Sequence, residues 1–402
     1  MSKPLQGVRI IEIAQEIQGP FAGLFLSDLG AEVTKVENRE IGDLSRWLLA
    51  QLIGGPNVKH AAVSHYFYAM NRGKRSITAD LKRPEAIEIV RRMAKTYDVL
   101  LTNYRPGVLD RLGLGYDDLR LVNQRIIFAQ ASSWGPIGPW ATRPSRDTLA
   151  QAASGLMSKT GMPEDNPLPA GAVIADQAGA LTLAGGVLAA LFARERTGEG
   201  QRIDASIYGT MIAAQGFELN YTALTGVEAP KAGRGHPFLH GIWGAFRTKD
   251  GHLCIAGVDD PRWPRFCKIM GIEELQNDPE CDNVTRNFRG DKIQKVLDGI
   301  FPRKTTAEWL KELTEADILV TEVASHQQVL NSEQARVNGY LLDLEHQVAG
   351  RITVTGCPVT LNGEVAHEAK PAPEHGQHTE EILLELGYSW EEISALRDAQ
   401  VV

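Results

Sequence analysis

One carboxylate stands out as a candidate reactive group. Asp176 lies in PAGAVIADQAGALTLAGGVLAAL, after a short apolar piece (Ala172–Ala175) that reads as a strand, and directly before an Ala/Gly-rich helix. An Asp there is an ordinary N-cap. It is equally a carboxylate that a helix macrodipole holds ionised and oriented, which suits a nucleophile. Basic side chains gather in three places. Arg72, Lys74, Arg75 and Lys82 fall in MNRGKRSITADLK (70–82), and Arg105 and Arg111 in LTNYRPGVLDRLGLGYDDL (101–119). Arg143 and Arg146 follow the loop WGPIGPW (134–140). Taken singly, such charges form a solvated face. Arginines that follow parallel strands are also where α/β folds bind phosphorylated ligands.

Other chemistries lack their residues. No GxGxxG follows the apolar run Val8–Ile13, no GxxxxGK[ST] loop is present, and GxSxG is absent. HPFLH (236–240) spaces two histidines four apart, but Gly235 and Pro237 argue against the helix that would align them, so they read as loop residues. His375 and His378 read as cap or surface groups near a helix start. Cys254, Cys267, Cys281 and Cys357 are far apart and form no CxxC pair, which speaks against a disulfide framework or a structural zinc and for a reducing cytoplasm.

The elements that must position these residues alternate along the first two hundred positions. Val8–Ile13, Glu32–Val36, Asp98–Leu101, Arg125–Gln130 and Arg202–Ala205 read as strands. Helices are expected from Gly19-Pro20 to Leu29 and over Arg83–Lys95. Strands separated by helices imply βαβ units and a parallel sheet. The texture changes near residue 226. The expected division is therefore 1–225, an α/β domain, 226–330, a smaller domain, and 331–402, a C-terminal segment. With 402 residues the chain suits two domains. The net charge of −8 argues against a general nucleic-acid partner. The longest charge-free apolar run, Ala178–Ala193, is followed at once by Arg194 and Glu195 and reads as a buried helix, not a membrane span. No secretory signal is expected from MSKPLQGVRIIEIAQEIQGP, which places the protein in the cytoplasm.

Several ordered segments together resemble the family III CoA-transferases, the CaiB/BaiF group that contains formyl-CoA and carnitine CoA-transferases. EIQGPFAGLFLSDLGAEVTKVE (16–37), GD at 42–43 with Arg46, NRGKRSITADLK, NYRPGVLDRLGLGY, QAASGLM (151–157), GEGQRIDAS (198–206) and HTEEILLELGYSWEEI (378–393) carry the likeness. The resemblance implies an α/β fold: a Rossmann-like large domain built from both chain ends, a smaller inserted domain, and an interlocked homodimer. It implies transfer of CoA between carboxylic acids, with Asp176 as the covalent nucleophile and Asp147 as a secondary catalytic group. CoA and acyl-CoA are then substrates, with no permanently bound cofactor, and neither a nucleic acid nor a membrane is a partner. Ile17 and Gln18 are implied at the thioester end. Lys82, Asn103, Tyr104, Arg105 and Arg111 are implied as nucleotide or phosphate contacts, with Arg143 and Arg146 in a further basic region.

This chain departs from the pattern at several points. Pro144 stands where formyl-CoA transferase has lysine, and Asn38 replaces an arginine beside Arg39. The α-methylacyl-CoA racemases, a sister branch and the alternative activity, carry a His-Asp pair where this chain has Arg146-Asp147. The segment IAGVDDPRW (255–263) has one glycine where formyl-CoA transferase has a glycine run. A CoA-binding protein without catalysis is the third reading, and it predicts no consequence from changing Asp176.

Overall fold

The computed structural model describes residues 3–48, 64–346, 350–367 and 370–402. Short runs rich in Val, Ile and Leu form six parallel strands: β1 (Arg9–Ile13), β2 (Glu32–Glu37), β3 (Arg75–Thr78), β4 (Val99–Thr102), β5 (Ile127–Ser132) and β6 (Arg202–Ser206). They lie in the order β3-β2-β1-β4-β5-β6, each parallel to its neighbours. Every residue of β4 and β5 is buried, as expected of strands covered on both faces.

The alternation of side chains along the strands divides two cores. Ile11, Ile13, Ile77, Leu100 and Phe128 face a layer containing Ile89 and Met93 of one helix and Ile382, Leu383 and Ile393 near the C-terminus. Ile10, Val33, Val99, Leu101 and Ile127 face the opposite layer, with Leu26 of one helix and Leu183 and Val187 of another. The helices that matter below are α1 (Gln18–Asp28), α2 (Pro84–Ala94), α3 (Val108–Arg111), α4 (Asp147–Ala153) and α5 (Ile174–Thr197). Among the described residues, α5 is the helix long and apolar enough to cross a membrane; here it packs on α1, β5 and β6.

The chain separates into two compact units. One comprises Met1–Ala150, Val173–Met211 and Ser332–Val402, the other Gln151–Ala172 and Ile212–Asn331. The second unit has its own antiparallel sheet, β7 (Trp243–Arg247), β8 (His252–Ala256) and β9 (Val320–Glu322). Phe246, Leu253, Ile255, Phe266, Leu297, Phe301 and Trp309 form its core. Its helix Thr306–Glu315 starts with a reciprocal capping box between Thr305 and Glu308.

Two local expectations need correction. Ala172–Ala175 is not a strand, because α5 already begins at Ile174. β3 was not foreseen: its four residues, RSIT, lie inside the basic motif, and their polar ends mask a short strand paired with β2.

Candidate active site

In the order β3-β2-β1-β4-β5-β6 the chain winds away from β1 in both directions. The loops leaving β1 and β4 therefore part, and a crevice opens at the carboxyl ends of those strands, where open α/β sheets bind ligands. A cavity of about 450 Å³ lies there. Gln15, Glu16, Ile17 and Gln18 reach it from the end of β1, Asn103, Tyr104 and Arg105 from β4, and Ser132 and Ser133 from β5. Arg143, Ser145, Arg146 and Asp176 complete the described polar lining.

Asn103 ties the two parted loops together. Its Oδ1 accepts the Gln15 N–H at 3.0 Å and its Nδ2 donates to the Gln15 carbonyl at 2.7 Å. The Gln15 side chain donates to the Tyr104 hydroxyl at 3.3 Å. Gln18, only 6% exposed, has an amide nitrogen without a hydrogen-bond partner among the described residues. It faces α5 one turn beyond Asp176, where a β-carbon on Gly179 would lie 3.1 Å away.

Asp176 occupies the first turn of α5 and is not its N-cap; Val173 holds that position and makes no side-chain capping bond. The cap comes from elsewhere. Oδ1 of Asp147 accepts the N–H groups of Ala175 at 2.8 Å and Asp176 at 3.1 Å. Asp147 is 7% exposed and does not line the cavity; it sits behind the start of α5. Among the described residues no donor reaches the Asp176 carboxylate, so its oxygens remain open to the cavity. Burial, then the charges of Asp147 and Glu16, push its pKa up to about 7, against the opposing charge of Arg146. Such a carboxyl is half ionised near neutrality and poorly solvated, hence more nucleophilic than a surface Asp.

Beneath α1 lies a buried network of charges. Lys35 contacts Glu12 at 2.9 Å, Asp43 at 2.7 Å and the Ala14 carbonyl at 2.8 Å. Lys74 reaches the other Glu12 oxygen at 2.7 Å. Burial pulls the Lys74 ammonium down to about 8 despite Glu12. Burial alone would lower Lys35 as well, yet Asp43 and Glu12 hold its pKa raised. Asp43 also accepts the N–H of Glu16 at 3.1 Å. Glu16 adopts a left-handed backbone, φ 63°, unusual for a residue with a side chain. Its Oε2 receives the Arg146 guanidinium at 3.0 Å.

Eight of the eleven residues singled out by the sequence line this one cavity: Ile17, Gln18, Asn103, Tyr104, Arg105, Arg143, Arg146 and Asp176. Arg143 is seated near the rings of Trp134 and Trp140, 5.9 and 5.5 Å from their centroids. Besides Asp147, two do not line it. Lys82 is exposed beyond β3, with its N–H bound to Asp80, and Arg111 ends α3 on the surface. Glu16, Ser132 and Ser133 line the site and escaped the sequence reading. Glu16 stood inside a quoted motif, but nothing in the sequence announces a positive φ. His236 accepts the Phe238 N–H and pairs with Glu218 at 3.0 Å. Among the described residues, no group of three or more His, Cys, Asp or Glu is arranged to hold a metal.

Comparison with known proteins agrees across the chain. The model of CoA-transferase family III matches residues 5–379. A succinyl-CoA:glutarate CoA-transferase of Mus musculus is 35% identical, covering 96% of this chain and 86% of the relative. The α-methylacyl-CoA racemase of Homo sapiens is 32% identical, covering 99% and 97%. Among solved structures, a CaiB/BaiF family protein from Brucella suis superposes with a TM-score of 0.84 at 28% identity, covering 96% of this chain and all of that one.

Proposed function

The chain belongs to CoA-transferase family III, and from that premise we propose that it moves CoA from an acyl-CoA to a carboxylic acid through a covalent thioester on Asp176. The observation that carries this reading is the open, poorly solvated Asp176 carboxylate in the switch-point cavity, its pKa raised to about 7.

The ionised Asp176 attacks the thioester carbonyl of the donor. The C–S bond breaks, giving a mixed anhydride and CoA thiolate. The thiolate attacks the aspartyl carbonyl; the donor acid leaves as its carboxylate and an aspartyl-CoA thioester remains. The acceptor carboxylate then attacks that carbonyl, releasing the thiolate and forming a second anhydride. Attack of the thiolate on the acceptor's acyl carbonyl yields the new acyl-CoA and regenerates Asp176. Thioester and anhydride have similar transfer potential, so no nucleotide hydrolysis is required. CoA is a substrate here and no resident cofactor takes part. Each addition creates an oxyanion, for which the amide nitrogen of Gln18, unpartnered among the described residues, is an available donor. We assign Asp147 a positioning role, since its carboxylate fixes the first turn of α5 from behind.

The cavity takes the thioester end, between Ile17, Gln18 and Asp176. The pantetheine and nucleotide run outward past Asn103, Tyr104 and Arg105, with Arg143 along the rim and Arg111 and Lys82 as the outer cations. Two chains interlock as a homodimer in the cytoplasm. Racemisation at an α-carbon is the weaker reading, because it needs an acid and a base on opposite faces. Among the described residues no histidine lines the cavity, and Arg146 stands where the racemases carry their histidine.

The deciding experiment follows CoA onto the protein. Acyl-CoA supplied without acceptor leaves a fraction of the chain heavier by one CoA, and hydroxylamine discharges it. Asp176→Asn keeps the Asp147 cap, since that bond uses the main chain. It folds and binds CoA while transfer falls by several orders of magnitude. A substantially active Asp176→Asn protein, checked by mass for deamidation, rejects the covalent assignment. Exchange of the α-proton in heavy water without CoA transfer would favour the racemase instead.

A further inference from the structure

Negative charge moves during CoA transfer, from a carboxylate to an oxyanion and then to the sulfur of CoA. A cation beside that path stabilises the later stages, provided it does not first neutralise the nucleophile. Arg146 meets both conditions. It directly precedes Asp147, the first residue of α4, whose carboxylate holds the N–H groups of Ala175 and Asp176 at 2.8 and 3.1 Å. The Arg146 main chain is thereby tied to the turn that carries the nucleophile, and both side chains line one cavity. Among the described residues, however, no bond joins the guanidinium to Asp176. Its Nη1 lies 3.0 Å from Oε2 of Glu16 instead. Glu16 is itself fixed: its backbone stands at φ 63°, and its N–H binds Asp43, which Lys35 and the Ser45 N–H (2.8 Å) hold in turn. Backbone strain at a ligand site persists only where the surroundings enforce it. Asp147 and Glu16 raise the Asp176 carboxyl and Arg146 opposes them, with the Tyr66 phenol also near. A guanidinium bound directly to Asp176 would pull that carboxyl down and weaken it as a nucleophile.

We propose that Arg146 is a catalytic residue that receives the CoA thiolate as it leaves, and that Glu16 is a positioning residue that holds the guanidinium off Asp176 until then. An Asp176 oxygen bonds to the donor's carbonyl carbon, the C–S bond breaks, and its electron pair stays on sulfur beside the guanidinium. The thiolate then bonds to the aspartyl carbonyl carbon as the donor acid departs with the electron pair of the broken C–O bond. No proton moves in either stage. Sulfur arrives on this side because Arg143 and Arg146 share one loop at the cavity, along which the coenzyme arm enters. The Gln18 amide approaches from α1 and serves the oxyanion, so two elements divide the developing charge. The guanidinium is 70% exposed and rests on one described contact. It turns from carboxylate to thiolate at little cost, since one ionic contact replaces another. This inference rests on the CoA-transferase reading and adds a residue to the chemistry of the same site.

The test uses the full chain with succinyl-CoA or acetyl-CoA, whichever loads the native protein faster. Two quantities are read: the single-turnover rate at which CoA becomes attached without acceptor, by quenching and mass, and the pH profile of that rate. Arg146→Gln folds like the native chain, because the side chain is exposed. Its loading rate on the alkaline plateau should fall about 100- to 1,000-fold, as for loss of one donor to a developing charge. The donor concentration giving half the maximal rate should change little, and the pH limb should move upward with loss of the opposing cation. Arg146→Lys, which keeps the charge, should recover part of the rate. Glu16→Gln frees the guanidinium to pair with Asp176, so the limb should move to lower pH while the plateau falls. If Arg146→Gln loads at the native plateau rate, or weakens only donor binding, Arg146 is a binding cation and the proposal is overturned while transfer stands. A native plateau in Glu16→Gln overturns the restraint assigned to Glu16. A native chain that neither loads nor transfers CoA from either donor rejects the transferase reading, and this proposal with it.

Discussion

Asp176 combines two demands that oppose each other. A nucleophile must be ionised, yet burial and the neighbouring Asp147 and Glu16 charges hold its carboxyl up to about 7. Activity should therefore rise with pH through a limb near 7 in kcat/KM, which reports the free protein. Asp147→Asn preserves an acceptor for the Ala175 and Asp176 N–H groups but removes a charge. The limb should then move to lower pH by roughly one unit. A limb that stays in place would mean that Asp147 does not act on Asp176 through its charge. Stability follows the same linkage. The unfolded chain ionises this carboxyl near its ordinary value of about 4, so folding loses stability as pH rises from there to about 7. Asp176→Asn removes that loss. Its Tm should exceed the native value at pH 8, and the difference should vanish below about pH 4, as read by calorimetry.

At the scale of elements, the site depends on how closely α1 approaches the charges beneath it. Gly23 lies in α1 where a β-carbon would overlap the Glu12 carboxylate. Glycine in a helix interior ordinarily costs about 1 kcal/mol against alanine, so an exposed site would gain from the exchange. Here the sign should reverse. Gly23→Ala should destabilise the fold by about 1–3 kcal/mol through overpacking. It should also disturb the Lys35–Asp43 support of Glu16, lowering kcat/KM more than a surface helix substitution of equal Tm cost. Denaturant unfolding with kinetics on the same samples decides it; a stabilised Gly23→Ala protein would show that α1 can shift without consequence. Lys35, Lys74, Glu12 and Asp43 form a closed set in which each charge has an opposite partner. Removing one member strands another in the interior, which is far more damaging than the bonds alone suggest.

For the whole molecule, the long apolar helix α5 is the place where a second chain would matter. It is buried along the side that meets α1, β5 and β6, yet leaves Leu181 and Phe192 42% and 62% exposed. The proposed interlocked homodimer would cover such positions and could not separate without substantial unfolding. Sedimentation should find a dimer even at nanomolar concentration, and subunit exchange with a tagged copy should proceed only under unfolding conditions. A folded monomer on dilution would reject the linked arrangement.

What the sequence determined by itself is local or repeated in order. The strands β1, β2, β4, β5 and β6 and the helices α1 and α2 follow from short apolar runs punctuated by Gly, Pro and capping residues. The Thr305–Glu308 box is legible because both partners sit within one turn. The many motifs in fixed order pointed to the family, and through it to Asp176 and to half of the described cavity lining. What only the tertiary structure decided are bonds between distant positions. Asp147 caps the helix that carries Asp176 from 29 positions away, Asn103 clamps Gln15 across 88, and Arg146 meets Glu16 across 130. Each depends on where the sheet places two loops, a collective result of packing that no window of sequence contains. For the same reason Asp176 read as an N-cap: the sequence offers a capping residue at the right place, while the fold supplies the cap from Asp147 and leaves the Asp176 carboxylate without a donor among the described residues.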